Sequence, residues 1–165
     1  MADSYIKYSD QTVNSAFQDF YVVPDYQREY VWEGAQVEQL LFDLLEAYEA
    51  DPKKAYFLGT MVTYANENNF ELIDGQQRLT TFFIILCAIK AALKRFGDQT
   101  GIIDNLIFSS AYNADGDIDH RYHVQLQYED AKGIWSRSKK MNPELGNCPN
   151  LGGGCLRRFI WHKNG

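Results

Sequence analysis

The strongest constraint in this sequence is a long apolar helical run that begins directly behind an Asp-Gly break. Residues 79–89 are apolar on nearly every side of a helical wheel, and a helix of that kind has to be central and buried. Upstream, Phe70-Glu71-Leu72-Ile73 reads as a strand, and Asp74-Gly75 interrupts it. The polar and flexible residues Asp74-Gly75-Gln76-Gln77-Arg78 are thus concentrated where a strand hands over to a helix spanning residues 76–96. Such a junction exposes free backbone N–H groups, which readily hold anions. The expectation is a phosphate-facing site.

Each residue of the junction has its own chemistry. Gly75 lets the backbone turn sharply and lets a ligand approach without a Cβ in the way. Asp74 can cap the helix through the N–H of Gln76 or Gln77, or it can hold a hydrated Mg²⁺ beside a nucleotide. Gln76 and Gln77 offer uncharged amide donors and acceptors. Arg78 puts a cation in the first helical turn, against the dipole, at a cost of about 0.3–1 kcal/mol. That placement makes sense if a multiply charged anion sits between the amides and a guanidinium able to bind it bidentately. The spacing leaves a second arrangement open, a capped helix with Arg78 paired to Glu29 or Glu71.

Around this junction the chain reads as α+β. A short helix is expected within residues 10–17, capped by Ser9 or Asp10, followed by a strand at residues 20–23 that Pro24 stops. Residues 24–32 mix aromatics with Gln27-Arg28 and read as a loop. Val37, Leu40, Leu41, Leu44, Leu45 and Tyr48 recur at helical spacing, giving an amphipathic helix with an acidic outer face ended near Pro52. Residues 56–64 and 70–73 flank an Asn-rich tip and read as an antiparallel hairpin. Gly59 inside the first of these strands marks a bulge or a close approach of a backbone or ligand. Gly97 is expected to stop the long helix, and residues 101–108 read as another short one. Residues 120–126 alternate as one strand, with Tyr122, Val124 and Leu126 on one side. His120 and His123 read as a satisfied or exposed pair, since no further metal ligands stand nearby.

Composition excludes several classes. The net charge of −6 argues against coating nucleic acid by bulk charge. That charge is uneven: from Glu129 onward seven Lys/Arg face three Asp/Glu, a net of +4. Three cysteines without a recognised zinc spacing fit a reducing compartment, with Cys87 as a small core residue. The start of the chain lacks a basic and apolar leader, and residues 79–93 are too short and interrupted to span a bilayer. A soluble, cytoplasmic protein is expected. Residues 136–165 read as a poorly defined tail or as the start of a missing helical region, behind a domain of residues 1–135.

Three blocks occur together: Tyr26-Gln27-Arg28 with Tyr30 and Trp32, then Phe57-Leu58-Gly59-Thr60, then Ile73-Asp74-Gly75-Gln76-Gln77-Arg78-Leu79-Thr80-Thr81. Their identity and order closely resemble the N-terminal domain of GmrSD-type restriction endonucleases. The resemblance is clear over residues 20–89, and residues 121–135 are compatible with it. It implies a ParB/sulfiredoxin-like α+β fold, a small sheet with packed helices and a central buried helix at about 76–96. It also implies binding of a nucleoside triphosphate (GTP, ATP, CTP or UTP undecided), with Mg and in several members with hydrolysis. That activity would be coupled to cleavage of foreign or modified DNA.

By position, Asp74, Gln77 and Arg78 would be the catalytic members of the nucleotide motif, with Asp74 as the Mg ligand. Tyr26, Gln27, Arg28, Gly59, Thr60, Gly75 and Gln76 would bind the nucleotide. The family usually continues into a helical region and often a His-Asn-His-type nuclease. His120, His123 and His162 do not reproduce that set, so this chain alone is not expected to cut DNA. A fragment, a truncated gene and one subunit of a split system are all open. Expected partners are a nucleotide, and DNA through the full-length protein or a nuclease partner. No membrane is expected, and an oligomer is an open option. The rival reading is a non-catalytic, ParB-like DNA-binding or modification-sensing module in which Arg28 and Arg78 hold a DNA phosphate and Tyr26, Tyr30 or Trp32 contacts a base or modification. A third is a degenerate fragment kept for protein contacts.

Overall fold

The computed structural model describes residues 7–112 and 116–127, with the side chain of Asp119 left out. In chain order the elements are α1 (Val13–Ala16), β1 (Tyr21–Val23), α2 (Gly34–Ala50), β2 (Val62–Asn66), β3 (Asn69–Asp74), α3 (Gln76–Phe96), α4 (Gly101–Ile107), β4 (Phe108–Tyr112), β5 (Ile118–Tyr122) and β6 (Val124–Leu126). The fold is α+β, with a small mixed sheet of order β2-β3-β1-β6 and a separate β4-β5 hairpin. The expected boundary at residue 135 and the tail from 136 onward lie outside the described residues.

The main sheet explains where a site can form. β1 is parallel to both β3 and β6, with Tyr21 opposite Phe70 on one side and Val124 on the other. The C-terminal ends of all three strands therefore point the same way, and loops gathered at such ends are the usual place for ligands in parallel sheets. β2 pairs antiparallel with β3, completing the expected hairpin, although β2 begins at Val62 and leaves Gly59 outside it.

α3 lies against this sheet. Leu79, Phe83, Ile84, Leu86 and Cys87 are buried with Phe17, Tyr21, Val23, Leu72, Ile107, Val124 and Leu126. The Phe17 and Phe83 rings stack with centroids 6.3 Å apart. Burial, then the nearby Asp19 charge, pushes the Tyr21 phenol up to about 12. The helix fulfils the expectation of a central element over its first three turns, and Ile89 and Phe96 farther along are exposed. Gly97 ends it in a left-handed conformation, behind Lys94 and Arg95 in the last turn. Lys90 Nζ reaches Asp104 Oδ1 at 2.6 Å and ties α3 to α4.

Three expectations need correction. α1 is capped by Thr12, in a reciprocal capping box with Ser15, and not by Ser9 or Asp10. The apolar face of α2 is only partly covered, because Val37 alone is buried and Leu45 and Tyr48 are exposed. Residues 120–126 are two strands, and β4 was not foreseen. The break falls at His123, whose N–H bonds Ile107 O at 3.0 Å and whose carbonyl accepts from Tyr21 N at 2.7 Å. Its ring is buried, stacked on Phe20 at 4.8 Å. Its Nδ1 donates to Asp19 O (2.9 Å), and Nε2 contacts Ser109 Oγ at 3.2 Å. This histidine is the joint where the chain passes from hairpin to sheet. Among the described residues no helix is long and apolar enough to cross a membrane.

Because Phe83 has no exposed surface, Phe83→Ala should lower unfolding free energy by about 3–5 kcal/mol, measurable by urea titration.

Candidate functional site

A cleft of about 550 Å³ opens at the C-terminal ends of β1 and β3, lined by Gln27, Arg28, Trp32 and residues 73–78. Its floor is the β3-to-α3 turn. Asp74 is the last residue of β3, and Gly75 follows with φ +89°. A Cβ at Gly75 would also lie 3.2 Å from Thr60 O and 3.3 Å from Met61 Cα. Glycine is thus required twice, by the left-handed backbone and by the close approach of residues 60–61. No side chain caps α3, so Asp74 does not act as the N-cap.

The opposite wall is the loop of residues 24–33, and side chains of α3 hold it. Gln77 Oε1 accepts from Val31 N (2.9 Å) and Trp32 N (3.3 Å), and its Nε2 donates to Glu29 O (3.1 Å). Gln76 Nε2 donates to Arg28 O (3.1 Å). Tyr30 Oη meets Thr81 Oγ1 at 2.8 Å. From the strand side, Gln27 Nε2 donates to Ile73 O (3.3 Å) and the Tyr26 hydroxyl donates to Glu71. That hydrogen bond, followed by desolvation and the charges of Glu71 and Asp25, holds the Tyr26 phenol above its ordinary value. A buried polar side chain whose amide atoms are both bonded, as those of Gln77 are, rigidifies what it spans.

Arg78 anchors a third segment. Its Nη1 donates to Leu58 O (3.1 Å) and its Nη2 to Thr60 O (2.7 Å), so the guanidinium lies across Gly59. A Cβ on Gly59, where φ is +102°, would stand 1.9 Å from Arg78 Nη1. The close approach expected at Gly59 is therefore made by Arg78. The pairing of Arg78 with Glu29 or Glu71 does not occur. Carbonyls fix the cation without neutralising it, and three of its five N–H donors stay uncommitted to these bonds. Among the described residues Arg28 is exposed and its guanidinium has no hydrogen-bond or ion-pair partner, and the same holds for the carboxylate of Asp74. The buried Gln76 Oε1 also has no partner among them.

A family model described as the GmrSD restriction endonuclease N-terminal domain matches residues 8–147. The chain belongs to that family. It is also similar to the uncharacterized protein MJ0686 of Methanocaldococcus jannaschii, at 27% identity over 142 residues, covering 72% of this chain and 24% of that relative. The chain thus spans about a quarter of the length of the relative it matches.

In this GmrSD N-terminal domain the structure brings Gln27, Arg28, Asp74, Gly75, Gln76, Gln77 and Arg78 to one cleft. Tyr26, Gly59 and Thr60 are outside its lining: Tyr26 pins the loop to β3, and Gly59 and Thr60 seat Arg78. Trp32, expected at the site only in the rival reading, and Ile73, not expected there at all, also line the cleft. The Tyr30–Thr81 contact, which links positions 51 residues apart, was not expected either. Only the shared blocks hinted at it, because Tyr30 and Thr81 both belong to them. Among the described residues no three His, Cys, Asp or Glu side chains converge on a common point.

Two substitutions separate these roles. Gln77→Leu should strand part-buried backbone groups at Glu29, Val31 and Trp32, at about 1 kcal/mol each, and speed amide exchange at Val31. Gly59→Ala should cost about 1–3 kcal/mol from the backbone strain alone. It should also release Arg78, read as faster modification of Arg78 by phenylglyoxal.

Proposed function

We propose that the cleft binds the phosphates of a nucleoside triphosphate and that this binding regulates a DNA-restriction or phage-defence system. The observation that carries the reading is the pairing of an uncapped helix N-terminus with two guanidiniums, Arg28 and Arg78. Neither of them meets a carboxylate among the described residues. Two guanidiniums on one small cleft, neither ion-paired with its one carboxylate, Asp74, can both reach an anion, and planar guanidiniums suit phosphate oxygens.

Roles follow from the contacts. Arg28 is the exposed cation that meets the ligand from the loop. Arg78 is the fixed cation at the first turn of α3, placed to offset charge that develops on a transferring phosphoryl group. Gln76 and Gln77 are committed through their amide nitrogens to the loop backbone and act by holding the wall in place. Trp32 offers a flat apolar surface at the same cleft. Asp74 and the unpartnered Gln76 Oε1 fit a hydrated Mg²⁺, which commonly takes one or two carboxylates plus waters and phosphate oxygens. When bound, that ion would screen the negative charge of the phosphates. DNA would be engaged through the longer protein or a nuclease partner.

Binding and turnover of radiolabelled ATP, GTP, CTP and UTP test the reading. Arg28→Ala should weaken binding about tenfold or more without loss of folding, since its guanidinium supports no other contact among the described residues. Arg78→Ala should abolish turnover but also loosen residues 58–60, so Arg28→Ala is the cleaner variant. Equal binding by wild type and Arg28→Ala would overturn the assignment. Steeply salt-dependent DNA binding that ignores nucleotide would favour direct recognition of DNA phosphates instead.

A further inference from the structure

α2 presents a surface that the described residues do not cover. Glu38, Phe42, Leu45 and Glu49 are spaced four, three and four residues apart, so they stand in one row along the helix. Phe42 is 61% exposed and Leu45 54%, and Tyr48 beside them is 63% exposed. The helix carries four carboxylates, Glu38, Asp43, Glu46 and Glu49, and no Lys or Arg. None of the four has an ion pair among the described residues. A row of apolar side chains bracketed by unpaired carboxylates fits a basic segment that brings its own apolar side chains.

We propose that the occupant is residues 132–140 of this same chain. This stretch holds four Lys/Arg (Lys132, Arg137, Lys139, Lys140) and no acid, with Ile134 and Trp135 among them. Its charge therefore equals that of α2 with the opposite sign. The path is short. Gln127 N bonds Val23 O at 3.0 Å, so the chain leaves β6 beside the end of β1, where the loop that feeds α2 begins. The five residues from 127 to 132 reach up to about 17 Å, and α2 is about 25 Å long. The family match runs on to residue 147, well past the last strand, so the domain is larger than its described sheet. A second copy of α2 would instead set carboxylates against carboxylates. The proposal holds whether or not the cleft binds nucleotide.

The test is photo-crosslinking in the full chain, with p-benzoylphenylalanine at position 42 and the product mapped by mass spectrometry. Phe42 is exposed, so the replacement leaves the fold intact, which circular dichroism checks. The expected product is an intramolecular crosslink to residues 132–140. Glu38→Lys with Glu49→Lys should cut its yield severalfold, and adding Lys139→Glu with Lys140→Glu should restore it. Crosslinks only between two copies, crosslinks only to other segments, or none at all in the folded chain would overturn the proposal. So would a yield indifferent to both charge reversals.

Discussion

The site depends on one side-chain amide. Gln77 sits in the first turn of α3, buried, and satisfies three backbone groups of a loop that lies more than forty residues earlier in the chain. A loop of mixed aromatic and polar residues has no periodicity to fold it and no strand partner to align it. It would otherwise expose unpaired N–H and C=O groups over a range of conformations. The glutamine supplies both the acceptor and the donor that a neighbouring strand would have supplied. Gln76 and the Tyr30–Thr81 contact extend the same substitution along the loop. The result is a wall whose position is dictated by the helix, so the arginine it carries faces the helix start.

Arg78 applies the same logic on the other side. An arginine at a helix N-terminus is electrostatically misplaced, and a carboxylate partner would repair it. The chain instead gives it two carbonyls on either side of a glycine. Hydrogen bonds to carbonyls hold the group in place and leave its charge available, whereas a carboxylate would hold it and cancel the charge. The Phe-Leu-Gly-Thr block thus contributes to the cleft from behind, by shaping the cation rather than by lining the cavity.

How far the sequence foretold this differs by element. α3 was legible because an all-round apolar run followed by Gly97 admits few alternatives, and the hairpin of β2 and β3 because its tip is rich in Asn. The Asp74–Arg78 junction was legible as a strand-to-helix turn made by a glycine, and the resemblance supplied the opposing loop. The partners of the two glutamines were not readable, since an amide pairs with backbone of any sequence and leaves no complementary residue to find. The split at His123 was hidden for a related reason. Alternation runs straight through it, and only the burial of its ring and its bonds to Asp19 and Ser109 turn one apparent strand into two. The stripe of α2 misled because helical periodicity reports what a helix could bury, not what is present to cover it.

The cleft is assembled from three stretches, residues 24–33, 58–60 and 73–78, none of which forms it alone. An unfolded chain therefore contains no partial version of it, and anything held there favours the folded state over the unfolded one. At a hundredfold excess over its dissociation constant, such a ligand would add about 2.7 kcal/mol to stability. The segment carrying Gly59 would gain most, because outside β2 it is held at the cleft by Arg78. Occupancy of the cleft would thus be read out as order in a stretch that does not line it.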